Sequence, residues 1–492
     1  MTNKTTRVDG NTRWWVLGVL ALTQLVIVLD ATIMNIALPE AQKALGFDDN
    51  GRQWIVTAYS LTFGGLLLVG GRVSDLFGRK RSLIVGLVGF AAASALGGWA
   101  QSFEVLVAAR AMQGVFGALL APAALSLLTV TFADSKDRAR AFGIYGAISG
   151  AGGAIGLLLG GVLSEYLSWN WCLYVNVIII AVAVVGAVKL LPATEESAGD
   201  KPRLDIVGAI LVTTGLFSLV YGLANSETSG WTDTWTLTFM GAGVALLAAF
   251  VVAQTRVAHP LLPMRVLLDR YRGTSYLVMV ISAIGMFGVF LYLTYYLQSL
   301  LEYSPVVAGA AFLPMVAALA ITASTIGKIT SRVTPKITVG AGLVVGAVGM
   351  AFLTGIELTS NYVTDILPGL LLLGVGLGAV FSTAMGMATL GVRTEDAGVA
   401  SATVNTAQQI GGSIGVSLLS SFAATAAANY YTDNGASGLD AEALARNAEL
   451  ASYHTAFWWA SGFFLAGAVV AALLYPAKAA VPEPDAVPVL VH

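Results

Sequence analysis

Two ionisable residues stand inside otherwise apolar runs, Asp30 behind Leu25-Val26-Ile27-Val28-Leu29 and Arg110 behind Val105-Leu106-Val107-Ala108-Ala109. Charges at such places are rare and costly, and they mark functional sites by default. If both runs are helical, Asp30 lies roughly 12 Å from the run end near Leu38 and Arg110 roughly 9 Å from the start of its own run. The two are then at similar depth. A carboxylate beside a guanidinium stays ionised, whereas burial alone favours its neutral form. Asp30 is therefore expected to carry an exchangeable proton, or to offer its charge to a cationic cargo, with Arg110 modulating its affinity. A structural ion pair is the plainer alternative.

The elements that must hold this pair follow from composition. The 492 residues are 57% hydrophobic and 11% charged, where a soluble chain would be about one quarter charged. Apolar runs recur from Trp14 to Tyr475. About 20 apolar residues cross a roughly 30 Å hydrocarbon core as a helix, and a helix satisfies its own backbone there. The short alternating segments of a membrane barrel are not seen. Fourteen membrane-spanning helices are expected, at 14–38, 53–71, 82–100, 104–131, 140–163, 171–191, 205–223, 235–255, 273–298, 306–327, 337–356, 362–388, 398–425 and 455–475. Tryptophans such as Trp14, Trp54, Trp99, Trp171 and Trp458 lie near run ends, as an interfacial belt requires. The first run has no small-residue cleavage site and reads as a retained helix.

An even number of spans puts both termini on one side. All but Lys43, Arg52, Arg446 and the intramembrane Arg110 of the 26 Lys and Arg then fall on that side. The positive-inside rule makes it cytoplasmic, so a multi-pass cytoplasmic-membrane protein with both termini inside is expected. Residues 256–272 are basic with Leu261, Leu262, Val266 and Leu267 interleaved, a pattern for a short helix on the inner membrane surface. Residues 426–454 read as the longest outer loop, with a capped helical turn at Asp440. The proline-rich end 476–492 reads as disordered.

Two patterns recur half a chain apart. Gly152-Gly153-Ala154-Ile155-Gly156 matches Gly411-Gly412-Ser413-Ile414-Gly415, in the fifth and thirteenth helices, and the stretch Gly71 to Lys80 has a faded echo at Gly327 to Lys336. Two facing six-helix bundles would leave such symmetry. The expected organisation is a bundle over 1–192, an inserted helix pair and inner linker over 193–272, a second bundle over 273–475 and a tail over 476–492.

Several motifs carry a family resemblance. Gly71-x-x-x-Asp75-x-x-Gly78-Arg79-Lys80-Arg81 is similar to the loop between helices 2 and 3 of the major facilitator superfamily. Arg110-Ala111-Met112-Gln113-Gly114-x-x-Gly117-Ala118 resembles the helix 4 motif of its proton-coupled members. Leu29-Asp30-Ala31-Thr32-Ile33-Met34-Asn35-Ile36-Ala37-Leu38-Pro39 resembles the first-helix signature of its fourteen-helix drug:proton antiporters, and Tyr296-Leu297-Gln298 with Ser304-Pro305 and Gly309 fits their ninth and tenth helices. The likeness covers nearly the whole chain. Two places depart from pattern. Helix 5 has Gly156-Leu157 before Gly160-Gly161 where the family has Gly-Pro. Helix 6 opens Trp169-Asn170-Trp171 and lacks a proline after Asn176.

The resemblance implies an all-α integral membrane protein of the major facilitator fold, exporting amphipathic drugs or antibiotics in exchange for protons. It implies conformational gating at Gly71, Asp75, Gly78, Arg79 and Lys80. There Asp75 would pair with basic groups or cap a neighbouring helix N-terminus; ordinary positive-inside topology is the alternative. Gly146, Gly150, Gly153, Gly156 and Gly160 share one face of helix 5 and permit close packing, as a gate between bundles or as plain helix contact. By family analogy Tyr59, Phe63, Gln113, Tyr145, Tyr292, Tyr295, Gln298, Phe312, Phe381, Met385, Asn405, Gln408 and Gln409 line a substrate cavity. Aromatics and Met give adaptable apolar contact, and the adjacent amides Gln408 and Gln409 need partners or water.

The expected partners are a small-molecule substrate, protons and the lipid bilayer, with a monomer as the working unit and no nucleic acid. No cofactor is expected: no phosphate-binding P-loop is present, His259, His454 and His492 lack metal-ligand spacing, and the single Cys172 excludes an intrachain disulfide. No catalytic triad is apparent, and no charge ring or filter repeat suggests a channel. A metabolite, siderophore or lipid cargo on the same fold is the alternative, and a transport-dead receptor or scaffold is a more distant one.

Overall fold

The apolar runs become helices wherever a cap, a proline or a glycine lets them start and stop. A computed structural model describes residues 12–47, 49–132, 135–191, 205–258, 260–330, 333–393, 396–435 and 440–477. The helices in the first half are α1 (Thr12–Leu45), α2 (Asp49–Phe77), α3 (Arg79–Gly98), α4 (Phe103–Thr131), α5 (Ser135–Tyr166), α6 (Trp171–Leu190), α7 (Ile206–Ser229) and α8 (Thr234–Gln254). In the second half come the short α9 (Met264–Leu267), then α10 (Arg270–Gly288), α11 (Pro305–Ala311), α12 (Leu313–Thr330), α13 (Pro335–Leu353), α14 (Leu367–Ala388), α15 (Ala397–Asn434) and α16 (Ala441–Leu474). Wide turns continue α10 over Val289–Leu293 and Tyr296–Leu300, and another, Tyr362–Ile366, precedes α14. Thirteen of the described helices are long and apolar enough to cross a membrane. The fourteenth expected span falls on the 32-residue, glycine-rich α5, whose apolar part among the described residues is the shorter Ile155–Tyr166, and α11 with α12 forms one span.

The boundaries have local causes. Gly78 has φ +94° and breaks α2 from α3, a backbone that only glycine adopts freely. Ser102, Asp233, Asp269, Ser304 and Asp440 each accept a backbone N–H at a helix start, satisfying donors that the helix leaves orphaned. Pro305 and Pro335 occupy first helical positions, where no N–H is needed.

Helices α1 to α6 pack among themselves, as do α10 to α16, and the two groups meet where α2 and α4 cross α15 and where α5 crosses α12 and α14. Helix α7 pairs with α8 and lies against α2 and α15, with Trp54 beside Tyr221 and Ser417 bonded to the Leu223 carbonyl. Both copies of the repeated glycine motif do the same work. Added Cβ atoms would strike Val28 and Thr32 of α1 at Gly152 and Gly156, and Val280 and Ile284 of α10 at Gly411 and Gly415.

Two expectations change. The outer stretch 426–454 is mostly helix, because α15 runs on to Asn434 and α16 begins at Ala441. The expected cap at Asp440 is present, 2.7 Å from Ala443 N. Beyond it the strong helix formers keep their register, burying Ala448 and Tyr453, while Arg446 and His454 bond to the carbonyls of Leu300 and Ile356. The linker 256–272 turns its apolar residues Leu261, Leu262 and Val266 into the protein instead of outward to lipid. Gln254 accepts from Leu262 N and Arg265 pairs with Asp396, which pins the linker inward. The expected disorder of the tail concerns residues that, from 478 on, lie outside the described ones.

Candidate functional site

The Asp30 cluster is assembled by helices that each contribute one or two polar groups to an apolar interior. Asp30 comes from α1, Arg110 and Gln113 from successive turns of α4, Ser94 from α3 and Asn176 from α6, and all five are buried. Arg110 donates to Asp30 Oδ2 at 2.5 Å and to Gln113 Oε1 at 2.8 Å. Asp30 Oδ1 accepts from Gln113 Nε2 and from Asn176 Nδ2, both at 2.7 Å. Gln113 Nε2 also donates to Ser94 Oγ at 2.8 Å. The guanidinium carbon lies 4.4 Å from the centroid of the Tyr59 ring, a favourable place for a cation. Tyr59 in turn stacks on Phe63 at 5.4 Å.

Charges this far from water persist only when paired and fully bonded. The carboxylate meets that demand with three donors. The Tyr59 hydroxyl, Arg110 Nε and Asn176 Oδ1 have no hydrogen-bond partner among the described residues. The cluster thus combines a satisfied anion with orphaned polar atoms, as in a site that changes its bonding.

A second constellation lies on the face rich in Arg and Lys. Asp75 accepts from Gly398 N at 3.1 and 3.2 Å, at the start of α15, and from Arg79 at 3.2 Å. A carboxylate there is favoured by the orphan N–H groups and the helix dipole. Gly71 makes the approach possible, since a Cβ on it would lie 2.7 Å from both Ala402 Cβ and Gly398 O. Arg138 of α5 makes the parallel tie, donating to Thr389 O at 3.0 Å and Oγ1 at 3.1 Å. Lys80 serves elsewhere: it donates to the carbonyls of Val188 and Leu191 at the end of α6, within its own bundle.

Comparison with known proteins gives the family. Residues 20–416 match the model of the Major Facilitator Superfamily. The chain belongs to the Major Facilitator Superfamily. It is 46% identical over 469 residues to the puromycin resistance protein pur8 of Streptomyces alboniger, covering 95% of this chain and 92% of that protein. It is 35% identical to the cephamycin export protein CmcT of Amycolatopsis lactamdurans, covering 93% and 91%. The crystal structure of the human organic anion transporter MFSD10 (TETRAN) shares the fold, with TM-score 0.62 at 15% identity over 93% of this chain and 99% of that one. The protein is a multi-pass membrane transporter.

Within this superfamily member, the other sequence-selected residues do not gather at one place. Gln113 and Tyr59 belong to the Asp30 cluster. Tyr145 is buried and donates to Gln24 of α1 at 2.7 Å. Gln409 faces Gly64 across the α2–α15 contact, and Gln408 lies 3.9 Å from Met279 Sδ. Asn405 bonds to Ser401 O on its own helix. Phe312 stacks on Phe290 at 5.3 Å, and a Cβ added at Gly153 of α5 would meet the same Phe290 ring. Phe381 and Met385 are buried in α14. Tyr292 reaches Ser420 and Tyr453, Gln298 is half-buried, and Tyr295 is exposed on the outside of the helix.

The helix 5 glycines also divide. Gly152, which the repeat singles out, lies with Gly156 and Gly160 against α1, whereas Gly153 faces α10 and Gly146 meets nothing within 4 Å. The surroundings of Gly150 lie outside the described residues. Sequence reasoning misses Asn176, Ser94, Arg138 and Gly398. Asn176 has a signal, as an amide within an otherwise apolar span. Gly398 has none, because its contribution is a backbone N–H.

Proposed function

We propose that this transporter exports an amphipathic antibiotic-like compound across the cytoplasmic membrane in exchange for protons, with Asp30 as the exchanging acid. The single observation that carries the reading is the fully buried Asp30, held by Arg110, Gln113 and Asn176 with no access to water in this conformation. A structural ion pair in a bundle would be replaced by apolar packing at little or no loss of stability. The names of the relatives, puromycin resistance and cephamycin export, support a drug-like cargo. The basic face is the cytoplasmic one, so the Asp75 and Arg138 ties close the cytoplasmic side.

Proton exchange at Asp30 is coupled to those ties through packing. Protonation removes the charge that holds α1 to α4. Helix α1 rests on the glycine face of α5, and α5 crosses α12 and α14 of the other bundle. A shift of α1 is thereby passed to the surface on which the bundles rock. Opening requires Gly398 N and Thr389 to leave Asp75 and Arg138. Ethidium and puromycin efflux, from cells and in everted vesicles with and without an imposed pH gradient, tests the reading. Wild type is expected to respond to the gradient and Asp30→Asn is not. An equal response in both would remove Asp30 from the coupling.

A further inference from the structure

Protonating Asp30 creates a donor that the cluster, as bonded, cannot satisfy. Every group around the carboxylate donates to it: Arg110, Gln113 Nε2 and Asn176 Nδ2. A neutral acid has an O–H that must find an acceptor, and a buried orphan donor is costly. Gln113 cannot supply one. Its Oε1 accepts from Arg110, so turning its amide would set Nε2 against the guanidinium, donor against donor. Asn176 is different. Its Nδ2 bonds to Asp30 at 2.7 Å, while its Oδ1 is buried with no hydrogen-bond partner among the described residues.

We propose that Asn176 is the amide switch of this site, donating to the ionised Asp30 and turning by half a rotation to accept from the neutral one. A separation of 2.7 Å suits N–H···O and O–H···O bonds alike, so the backbone of α6 need not move. The turn carries Nδ2 to where Oδ1 had been. Arg110, relieved of the anion, stays seated between Gln113 Oε1 and the Tyr59 ring. Among the described residues, the titratable groups facing Asp30 are Arg110 from α4 and Tyr59 from α2; α3 brings Ser94, α5 the glycines beside Val28 and Thr32, and α6 the amide itself. Asn176 is a positioning residue that acts through Asp30.

The inference rests on the proposed role of Asp30, and its test separates the two. The full chain in proteoliposomes is assayed for ethidium transport driven by a pH gradient, as a function of pH. Asn176→Leu keeps the volume and removes both bonding modes. Each form of the acid then loses one hydrogen bond, the carboxylate a donor and the neutral acid an acceptor. The two losses oppose each other in the protonation balance, so the pH midpoint of transport is expected to move by less than about one unit while the rate falls, and Asn176→Ser, which donates and accepts, is expected to recover part of the rate. An amide that only donates to the carboxylate would move the midpoint to the alkaline side by more than about one unit, and that outcome overturns the switch. A measurement on the unsubstituted chain guards against misfolded variants. With carbon-13 in the asparagine side-chain carbonyl, infrared difference spectra between high and low pH should show an amide band that moves with the Asp30 acid band and is lost in Asp30→Asn. A static amide band overturns the proposal. Asp30→Asn with intact pH-driven transport overturns the underlying role instead.

Discussion

The two bundles pack alike and differ at one level, which the glycine contacts make visible. Gly152 and Gly156 of α5 seat on Val28 and Thr32, and Gly411 and Gly415 of α15 seat on Val280 and Ile284. The residue between the seats is Asp30 in α1 and Ser282 in α10. Both are fully buried. Asp30 is surrounded by donors from two neighbouring helices, whereas Ser282 Oγ has no partner among the described residues. Close helix packing is thus reproduced in both halves of the chain, and the charge is placed in one. A scaffold of paired bundles supplies two equivalent positions, and the side chains at them decide which does chemistry.

That contrast can be broken in order of expected effect. Asp30→Asn should lower pH-driven efflux, measured per amount of folded protein, by about a hundredfold or more, the scale on which a positioned proton-transfer group contributes. Arg110→Met should be the most damaging to folding, since it leaves a buried charge unpaired at a loss of about 3–5 kcal/mol. The readout is thermal aggregation of the detergent-solubilised protein. Adding Asp30→Asn to Arg110→Met should restore most of that stability without restoring transport, and a double variant no more stable than Arg110→Met would show that the guanidinium serves packing alone.

On the basic face, Asp75→Asn keeps the shape and removes the charge at the start of α15. The contact should weaken by about 1 kcal/mol, or about fivefold in the balance between closed and open bundles. Transport should fall while expression holds. The check is the rate of crosslinking between cysteines placed at Arg138 and Thr389, and equal loss of transport and expression would instead make the loop a topogenic signal. Ser282→Ala should do least, within about 0.5 kcal/mol and with an unchanged pH response. A pH response altered by Ser282→Ala would mean that the second bundle shares in the coupling.

Much of this arrangement is legible in the amino-acid sequence. Asp30 and Arg110 stand out because charges in apolar runs need partners, and each is the other's partner in the folded chain. The equal-depth argument works because helical rise is fixed by the backbone. The sequence marks Asp75 as a cap for a neighbouring helix, but not which helix. The cavity residues are legible only as types. Tyr295 and Tyr292 are three residues apart, yet one faces outward and the other is buried against α15 and α16. The outer segment 426–454 misleads because its mixed polarity reads as a loop, while its alanines and leucines keep helical order once Ala448 and Tyr453 have something to pack on.

The linear chain by itself determined that apolar spans recur along nearly its whole length, which side gathers positive charge and which two ionisable residues could not be left alone. These depend on hydrophobic length, charge and helical rise, which are properties of short segments. Only the tertiary structure decided that Gln113 and Asn176 complete the coordination of Asp30, that Lys80 holds α6 while Arg79 holds Asp75, and that Gly398 offers its N–H across the bundles. Those choices depend on which helix faces which, and a buried polar group must find its partner from whatever surface the packing brings within hydrogen-bond reach.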